Sequence, residues 1–232
     1  MKAFFTATAV ATTATTLASL ASAQVPGFDI SGWQESTDFE AAYADGNRFV
    51  YIKATEGTTY TSDKFSAQYA GATEAGLIRG AYHFAQPASS TGAEQAQFFV
   101  ENGGGWSNDG ITLPGALDIE YNPNGDTCYG MAAADLVSWI EDFVTTYESL
   151  TGRWPTIYTA WNWWNPCTGN SEAFNDRSPL WVAAYSDSVG QLPGGWPTHT
   201  IWQYNAEFPQ GGDSNLFNGD ESRLKALATG EE

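Results

Sequence analysis

Two acidic residues interrupt an apolar segment in the run PGALDIEYNPNGDTCYG, residues 114–130. Asp118 and Glu120 are spaced two apart, so on a β-strand both side chains point to the same face, with Cα atoms about 6.6 Å apart. Burial of unpaired charge is costly, and like charges held close together raise the pKa of one partner. A carboxyl group with a raised pKa is what a general acid needs near neutral or mildly acidic pH. The spacing therefore predicts an acid–base pair that acts on one bond of a substrate.

Two aspartates elsewhere in the chain are candidates for the same site. Asp29 lies in the strand-like segment 28–33, and Asp213 begins the last strand-like segment, 213–219. Because the first and last strands of a closed barrel are neighbours, we expect Asp29 and Asp213 to face one mouth. A lone aspartate at the start of a segment is also typical of a turn or cap, and this interpretation of Asp213 stays open.

Structural roles are the alternative for other charged residues. Ion pairs with Lys53 and Arg79 would neutralise the acids without any catalysis. His83, in AYHFA, is more typical of a histidine with satisfied hydrogen bonds than of a base. The sequence has neither a Gly-x-Ser-x-Gly elbow nor a Gly-rich phosphate loop, so serine-hydrolase and nucleotide chemistry find no support.

Aromatic and amide residues are concentrated in the last third of the chain. The segments WNWWNPC, LWVAAY and TIWQYN occupy residues 161–167, 180–185 and 200–205. Aromatic faces bind the apolar faces of sugar rings, and amides and phenols bind hydroxyl and acetamido groups. Core packing explains many of these residues equally well. We expect the segments to surround the mouth that contains the acids.

Apolar runs of strand length alternate with helical patterns over the first two thirds of the chain. The predicted helices, most of them between a capping residue and a glycine, are 38–46, 63–76, 91–105 and 133–152. After residue 153 four strand-like segments follow with non-helical connections, and a short helix closes the chain at 222–230. Eight strands match a small closed barrel of parallel strands with outer helices. We predict an α/β fold, a modified TIM-like barrel of the (β/α)5(β)3 type with reduced helices in the last third. Active sites of such barrels are built at the carboxyl ends of the strands.

The N-terminal segment has the features of a secretory signal peptide. Residues 1–23 contain Lys2, then an uncharged stretch of small and apolar residues, then Ala-Ser-Ala. We expect cleavage after Ala23, a secreted extracellular protein, and one catalytic barrel domain over residues 24–232. Without Lys2 the chain has 8 basic and 27 acidic residues, a net charge of −19. Such a charge disfavours nucleic acid or an anionic membrane as a partner.

Cysteine usage is consistent with an oxidising compartment. The sequence has two cysteines, Cys128 and Cys167, which most simply form one disulfide bond. These cysteines and the two histidines do not readily supply a metal site, so we expect no metal and no cofactor. Nothing in the sequence requires an oligomer, and we expect a monomer.

A set of motifs in fixed order resembles glycoside hydrolase family 25, the Chalaropsis-type lysozymes, in a secreted fungal form. The motifs are GFDISGWQ, FVYIKATEGTTYTSDKF, AGLIRGAYHF, ALDIEY, IYTA, LWVAAY and IWQYN. The resemblance extends over about residues 27–219. It implies cleavage of the β-1,4 bond between N-acetylmuramic acid and N-acetylglucosamine in bacterial peptidoglycan, by a barrel with shortened helices.

The resemblance also implies roles for individual residues. Glu120 would be the general acid, and Asp118, Asp29 and Asp213 the other acids of the site. The family mechanism implies attack by the acetamido oxygen of the substrate, with Asp118 orienting and polarising that group with help from a tyrosine such as Tyr82 or Tyr158. A direct displacement by water with Asp118 or Asp29 as base stays open, because backbone spacing does not give the carboxyl separation. The residues expected to bind substrate are Tyr82, Tyr158, Trp181, Tyr185 and Gln203.

Two other functions are compatible with the same residues. A chitinase-like glycosidase would use a similar acid pair on the same barrel. A wall-binding protein would keep the groove without turnover. The presence of all four acids disfavours the pure binder, because such a protein gains nothing from buried like charges.

Overall fold

A closed β-barrel forms the centre of the protein. The computed structural model describes Met1 and residues 24–231, so the expected signal peptide falls, apart from Met1, outside the described residues. Within these residues, nine strands form one sheet. They are β1 Val25–Ile30, β2 Phe49–Glu56, β3 Tyr60–Thr61, β4 Ile78–Phe84, β5 Ala116–Asp118, β6 Thr156–Thr159, β7 Leu180–Ala183, β8 Ile201–Asn205 and β9 Asp213–Phe217.

The strand order confirms the eight-stranded barrel and corrects one strand direction. The order β1-β9-β8-β7-β6-β5-β4-β2 closes through parallel pairing of β1 with β2, and β3 forms a hairpin on β2. Strand β9 is antiparallel to both β1 and β8, although we expected parallel strands throughout. Because β9 is reversed, its first residue, Asp213, lies at the end where the other strands finish and pairs in register with Asp29. In a parallel β9 the same residue would lie at the opposite mouth.

Six α-helices surround the barrel in the described residues. They are α1 Phe39–Ala44, α2 Phe65–Glu74, α3 Gly92–Phe99, α4 Ala133–Thr151, α5 Trp161–Thr168 and α6 Glu221–Thr229, and α3 continues into a π-helical turn, Val100–Gly104. Helices follow β1, β3, β4, β5 and β6, whereas the connections after β7 and β8 are irregular. Five strand–helix units followed by three strands confirm the predicted architecture. None of the helices within residues 24–231 combines the length and the apolar character needed to cross a membrane.

Two of the predicted helix starts have the expected caps. The side chain of Asp38 accepts from the backbone of Ala41 at 2.9 Å at the start of α1. Thr91 and Glu94 form a reciprocal capping box at α3, with Glu94 N donating to Thr91 Oγ1 at 3.2 Å and Thr91 N donating to Glu94 Oε2 at 2.9 Å. These helices therefore begin where the sequence pattern places them.

Two other expectations about helices were wrong. Asp63, the expected cap of the predicted helix 63–76, does not cap α2. A turn closed by Phe65 N on Ser62 O at 3.3 Å precedes the helix, and its N-cap is Lys64, without a side-chain hydrogen bond. Residues 161–168, which we expected to be a non-helical connection, form α5. Burial of Trp163, Trp164 and Cys167 within that helix outweighs the low helix propensity of an Asn- and Trp-rich sequence with an internal proline.

Aromatic side chains fill the barrel below its mouth. Phe49, Tyr51 and Trp181 are buried and belong to one apolar cluster inside the barrel, and the rings of Tyr51 and Trp181 stack with centroids 4.9 Å apart. Gly27 and Gly80 face these rings so closely that an added Cβ would overlap the side chains of Phe49 and Tyr51. The acids at the mouth therefore lie on a packed floor rather than over an open channel.

The expected disulfide bond is present and joins two segments beside the mouth. Cys128, in the β5–α4 connection, is bonded to Cys167 in α5, with Cα atoms 5.2 Å apart. The same connection accepts a hydrogen bond from Trp163 Nε1 to Thr127 O at 2.9 Å. The bond therefore anchors the loop that follows β5 to α5.

Replacing both cysteines by serine is expected to lower the free energy of unfolding by about 3 to 4 kcal/mol, because the bond closes a loop of 39 residues in the unfolded chain. Guanidinium unfolding followed by tryptophan fluorescence measures the change. The wild-type protein unfolded in dithiothreitol is the control and should match the double variant. A difference below about 1 kcal/mol between the oxidised wild type and the variant would contradict the prediction.

Candidate active site

The predicted acids meet in one small cavity at the carboxyl ends of the barrel strands. The cavity has a volume of about 70 Å³. Its lining residues come from seven of the eight barrel strands or the residues directly after them, and they are Asp29, Tyr82, Asp118, Glu120, Tyr158, Trp181, Gln203 and Asp213. The fifth residue expected to bind substrate, Tyr185, lies at the rim with 58% of its surface exposed.

The end of β5 places the central acid pair at two different depths. The strand is shorter than the predicted run and ends at Asp118, which is only 7% exposed. Ile119 N still donates to Tyr158 O at 3.0 Å, so the alternation of side chains continues one residue further. Glu120 therefore shares the inward face with Asp118 but lies beyond the strand, and Tyr121 is 44% exposed.

Asp29 is held by two amide side chains. Its Oδ2 atom accepts from Gln203 Nε2 at 2.8 Å and from Asn215 Nδ2 at 2.6 Å. Burial and then the charge of Asp213 raise the pKa of Asp29 to about 8, and the two amide hydrogen bonds lower it by less. Asp29 is therefore neutral over the mildly acidic range despite donors that favour its charged form.

Gln203 connects the acids to two tyrosines. Its Oε1 atom accepts from the hydroxyls of Tyr158 and Tyr185, each at 2.8 Å. Its Nε2 atom donates to Asp29 at 2.8 Å and to Asp213 at 3.1 Å. The side chain is 2% exposed and all of its hydrogen-bonding capacity is used inside the protein. Gln203 therefore links the two tyrosines to Asp29 and Asp213.

Asn215 belongs to the same network and was missed by the sequence analysis. Its Oδ1 atom accepts from Trp181 Nε1 at 2.7 Å, and its amide donates to Asp29. Asn215 stands two residues after Asp213 on β9, so the alternation of side chains places both on the inner face. The same spacing rule that identified Asp118 and Glu120 would have found it.

Burial and mutual repulsion shift the acids of the central pair toward their protonated forms. The pKa of Glu120 is raised to about 7 by burial and then by the charge of Asp213, while Lys53 opposes the shift. The pKa of Asp118 is raised well above its usual value by burial and then by the charge of Glu120. Asp118 Oδ1 is buried and has no hydrogen-bond partner in the described chain. The site thus provides a carboxylic acid, Glu120, near the mouth and a hydrogen-bond acceptor without a partner, Asp118 Oδ1, beneath it.

The two candidate cations are engaged elsewhere. Lys53 Nζ pairs with Glu56 Oε2 at 2.7 Å, and its charge acts on the pKa values of Asp118 and Glu120 from a distance. Arg79 lies next to Asp109, with 3.7 Å between Nη2 and Oδ2. No ion pair within residues 24–231 joins a lysine or arginine to the acids of the cavity. Lys53 and Arg79 therefore do not neutralise the acids of the cavity through ion pairs.

His83 is a buried structural residue, as expected. Its Nδ1 atom lies 2.7 Å from Thr55 Oγ1 and its Nε2 atom 2.9 Å from Gln95 Oε1. Burial lowers the pKa of the imidazole to about 4, so the ring is neutral over the mildly acidic range. In the part of the chain that the structure describes, no group of three or more His, Cys, Asp or Glu side chains is arranged to hold a metal ion.

Comparisons with known proteins agree with the fold and identify the family. The family model for glycosyl hydrolases family 25 matches residues 28–213. The chain is 52% identical to an N,O-diacetylmuramidase of Chalaropsis sp. over 210 residues, which are 89% of this chain and 100% of that protein. A solved muramidase from Acremonium alcalophilum is 69% identical, with a TM-score of 0.88 over 89% of this chain and 99% of its own. A family 25 lysozyme from Aspergillus fumigatus is 57% identical, with a TM-score of 0.88 over 89% and 100% of the two chains.

Proposed function

The chain belongs to glycosyl hydrolases family 25, and we propose that it is a lysozyme that hydrolyses the β-1,4 bond between N-acetylmuramic acid and N-acetylglucosamine in bacterial peptidoglycan. The observation that supports this activity is the meeting of four acids, Asp29, Asp118, Glu120 and Asp213, in one cavity at the barrel mouth. Glycosidases use such carboxyl groups to protonate the leaving oxygen and to stabilise the positive charge that develops on the sugar.

Glu120 is the general acid in this proposal. Its position just beyond β5 lets it reach a glycosidic oxygen that lies across the mouth. Its pKa of about 7 keeps the carboxyl group protonated at mildly acidic pH, the state that donates a proton to the leaving group. After the bond breaks, the resulting carboxylate takes a proton from the water that completes hydrolysis.

Asp118 orients the acetamido group of the substrate in the same proposal. Its buried Oδ1 atom has no partner among the described residues and is suited to accept the acetamido N–H. A hydrogen bond donated to a carboxylate favours the charged form, so substrate binding lowers the pKa of Asp118 and leaves the proton of the pair on Glu120. The polarised acetamido oxygen then attacks the anomeric carbon as the glycosidic bond breaks.

A tyrosine is expected to assist the acetamido group, and Tyr82 is the better candidate. The hydroxyl of Tyr158 already donates to Gln203 Oε1 at 2.8 Å. Tyr82 also lines the cavity, and its hydroxyl makes no hydrogen bond within residues 24–231. We therefore propose that Tyr82 donates to the acetamido oxygen, while Tyr158 and Gln203 hold Asp29 and Asp213 in place.

The setting of the enzyme follows from its sequence. We propose that residues 1–23 direct secretion, that residues 24–232 form the catalytic domain, and that the enzyme acts outside the cell as a monomer. The formal net charge of −18 repels polyanions, so nucleic acid and anionic membranes are not proposed as partners. Attraction to a wall that is itself acidic has to come from short-range contacts with the glycan.

The bond assignment is tested by the chemistry of the new reducing ends. Purified protein lacking residues 1–23 is incubated with bacterial peptidoglycan, and the products are reduced with borohydride and identified by mass spectrometry. We expect reduced muramic acid ends, because cleavage after N-acetylmuramic acid exposes its anomeric carbon. Reduced glucosamine ends would show that the other bond is cut. Fragments from chitin in place of peptidoglycan would favour the chitinase-like alternative, and binding without any fragment would favour the non-catalytic one.

A further inference from the structure

Trp33 presents an indole ring to solvent from an anchored loop. The residue is 89% exposed and lies in the β1–α1 connection. The loop is held by Ser31 N donating to Gln34 Oε1 at 2.8 Å. Gln68 Nε2 on α2 donates to Ser31 O at 2.9 Å and to Gln34 O at 3.3 Å. The indole ring is thus exposed while the backbone of its loop is held in place by hydrogen bonds, as is typical of a preformed binding surface.

A second cavity lies between this loop and the β2–β3 hairpin. Its volume is about 320 Å³, and its lining residues are Ser31, Gly32, Trp33, Lys53, Glu56 and Tyr60. It adjoins the catalytic cavity on two strands: Ser31 follows Asp29 by two residues, and Lys53 pairs in register with Tyr82 of β4. A linear polymer that occupies the catalytic cavity can therefore continue into this one.

The charged groups of this cavity form a neutral unit. Lys53 pairs with Glu56 at 2.7 Å, and Glu56 Oε1 also accepts from Gln86 Nε2 at 2.9 Å. The Lys53 ammonium lies 5.4 Å from the ring centroid of Tyr60 and 4.7 Å from that of Phe84. Because the cation is already paired and the chain has a net charge of −18, the cavity does not favour an anion. A neutral ligand with hydroxyl groups and an apolar face fits its surface.

We propose that the cavity bounded by Trp33, Tyr60 and the Lys53–Glu56 pair is a subsite for a neutral N-acetylglucosamine unit of the glycan strand, one apolar face of which stacks on Trp33. Hydroxyl groups of this sugar donate to Glu56, and the neighbouring sugar extends into the catalytic cavity. The inference rests on the proposed function, since it takes the ligand to be the glycan strand that is cut there. N-acetylmuramic acid, which carries a free carboxylate in peptide-free glycan, is the poorer occupant next to a paired lysine in an acidic protein.

Binding to an inactive enzyme tests the subsite without turnover. Glu120→Gln and Glu120→Gln/Trp33→Ala are titrated calorimetrically with peptide-free oligosaccharides of alternating N-acetylglucosamine and N-acetylmuramic acid, four and six sugars long. Loss of the indole is expected to weaken binding of the six-sugar ligand about tenfold, and Trp33→Phe should recover most of the affinity. The matched control is Tyr43→Ala, which removes an exposed aromatic ring from α1, away from the mouth, and should bind like the parent. Equal affinity with and without Trp33 for both ligands would overturn the subsite, as would an equal loss in the Tyr43 variant.

Hydrolysis kinetics separate this proposal from the proposed function. In an otherwise wild-type enzyme, Trp33→Ala is expected to raise KM for the six-sugar substrate about tenfold with a much smaller change in kcat, since stacking binds ground and transition states alike. If the wild type cleaves but Trp33→Ala keeps its KM, the subsite is wrong and the function stands. If the wild type cleaves nothing while Trp33→Ala still weakens oligosaccharide binding, the function is wrong and the subsite stands.

Discussion

Glu120→Gln is expected to lower the rate of peptidoglycan hydrolysis by about 10² to 10⁴ while the protein stays folded, because loss of a general acid typically has this cost. The amide has nearly the shape of the carboxyl group but no proton to give to the leaving oxygen. Burial and the charge of Asp213 raise the pKa of Glu120 to about 7, so the wild-type carboxyl is mostly protonated below that pH. The wild-type residue is therefore in the protonation state that the proposed proton donation to the leaving oxygen requires.

The pH dependence of hydrolysis gives this prediction a second readout. In the proposed role the protonated form of Glu120 is the active one, so wild-type kcat/KM should fall as the pH rises through about 7. The residual activity of Glu120→Gln should lack that fall. Release of soluble fragments from peptidoglycan between about pH 4 and pH 9 measures both curves. Glu74→Gln, an exposed glutamate on α2, is the matched control and should follow the wild type. Full activity in the Glu120 variant, or an unchanged alkaline fall in its residual activity, would contradict the assignment.

The acid pair shows why part of the site is readable from sequence. Side chains in a strand alternate between faces, so the spacing of Asp118 and Glu120 is sufficient to place both inward. The spacing does not give the distance of each carboxyl from solvent, because β5 ends at Asp118 and only packing determines where the chain leaves the barrel. The different burial of the two carboxyls, which distinguishes their proposed roles, therefore needed the structure.

Asp213 shows how a correct location can follow from an incomplete model of the fold. We placed it at the mouth because the first and last strands of a barrel are neighbours. That inference holds only because β9 runs antiparallel, with its first residue opposite Asp29. Strand direction was nevertheless readable from the length of the connection, because β8 ends at Asn205 and β9 begins at Asp213, and so short a connection joins neighbouring antiparallel strands rather than parallel ones.

The helix α5 and the amide network mark the limits of local patterns. We expected Trp163 and Trp164 on a non-helical connection beside the mouth, with core packing as the alternative. Both are fully buried in a helix, because tertiary packing determines the conformation of this segment. Gln203 and Asn215 have ordinary residue types, and their importance lies in which atoms they face. A single amide that accepts from two tyrosines and donates to two aspartates depends on four strands and on the connection after β7 together. Such networks are therefore found from coordinates rather than from composition.

Asp118→Asn is expected to lower the rate of hydrolysis by about 10² to 10³, the usual cost of losing one group that stabilises charge in the transition state. Asparagine has no negative charge to polarise the acetamido group, so its oxygen becomes a weaker nucleophile toward the anomeric carbon. Acetamido attack predicts products that retain the anomeric configuration, which proton NMR of fresh digests reveals. Inverted products would favour direct displacement by water, with Asp118 or Asp29 as base. Wild-type activity in Asp118→Asn would contradict either role of this residue.

The same substitution is expected to change how stability depends on pH. Burial and the charge of Glu120 raise the folded-state pKa of Asp118 well above its unfolded value of 3.8. A group with a raised pKa contributes its full stability below the unfolded value and loses that contribution as the pH rises toward the folded value. The wild type should therefore lose stability between about pH 4 and pH 7, and Asp118→Asn should lose less. Any fixed cost of burying the amide is the same at each pH and cancels when the two pH values are compared.

Urea unfolding at pH 4 and at pH 7 measures this difference between the two proteins. The free energy of unfolding of Asp118→Asn minus that of the wild type should be larger at pH 7 than at pH 4, because the variant loses less stability as the pH rises. Asp176→Asn, at an exposed site before β7, is the matched control and should show the same pH dependence as the wild type. Parallel pH dependence in Asp118→Asn and the wild type would mean that Asp118 ionises in the folded protein at its ordinary pKa. Burial and the charge of Glu120 would then not raise the pKa of Asp118 as the proposed pair requires.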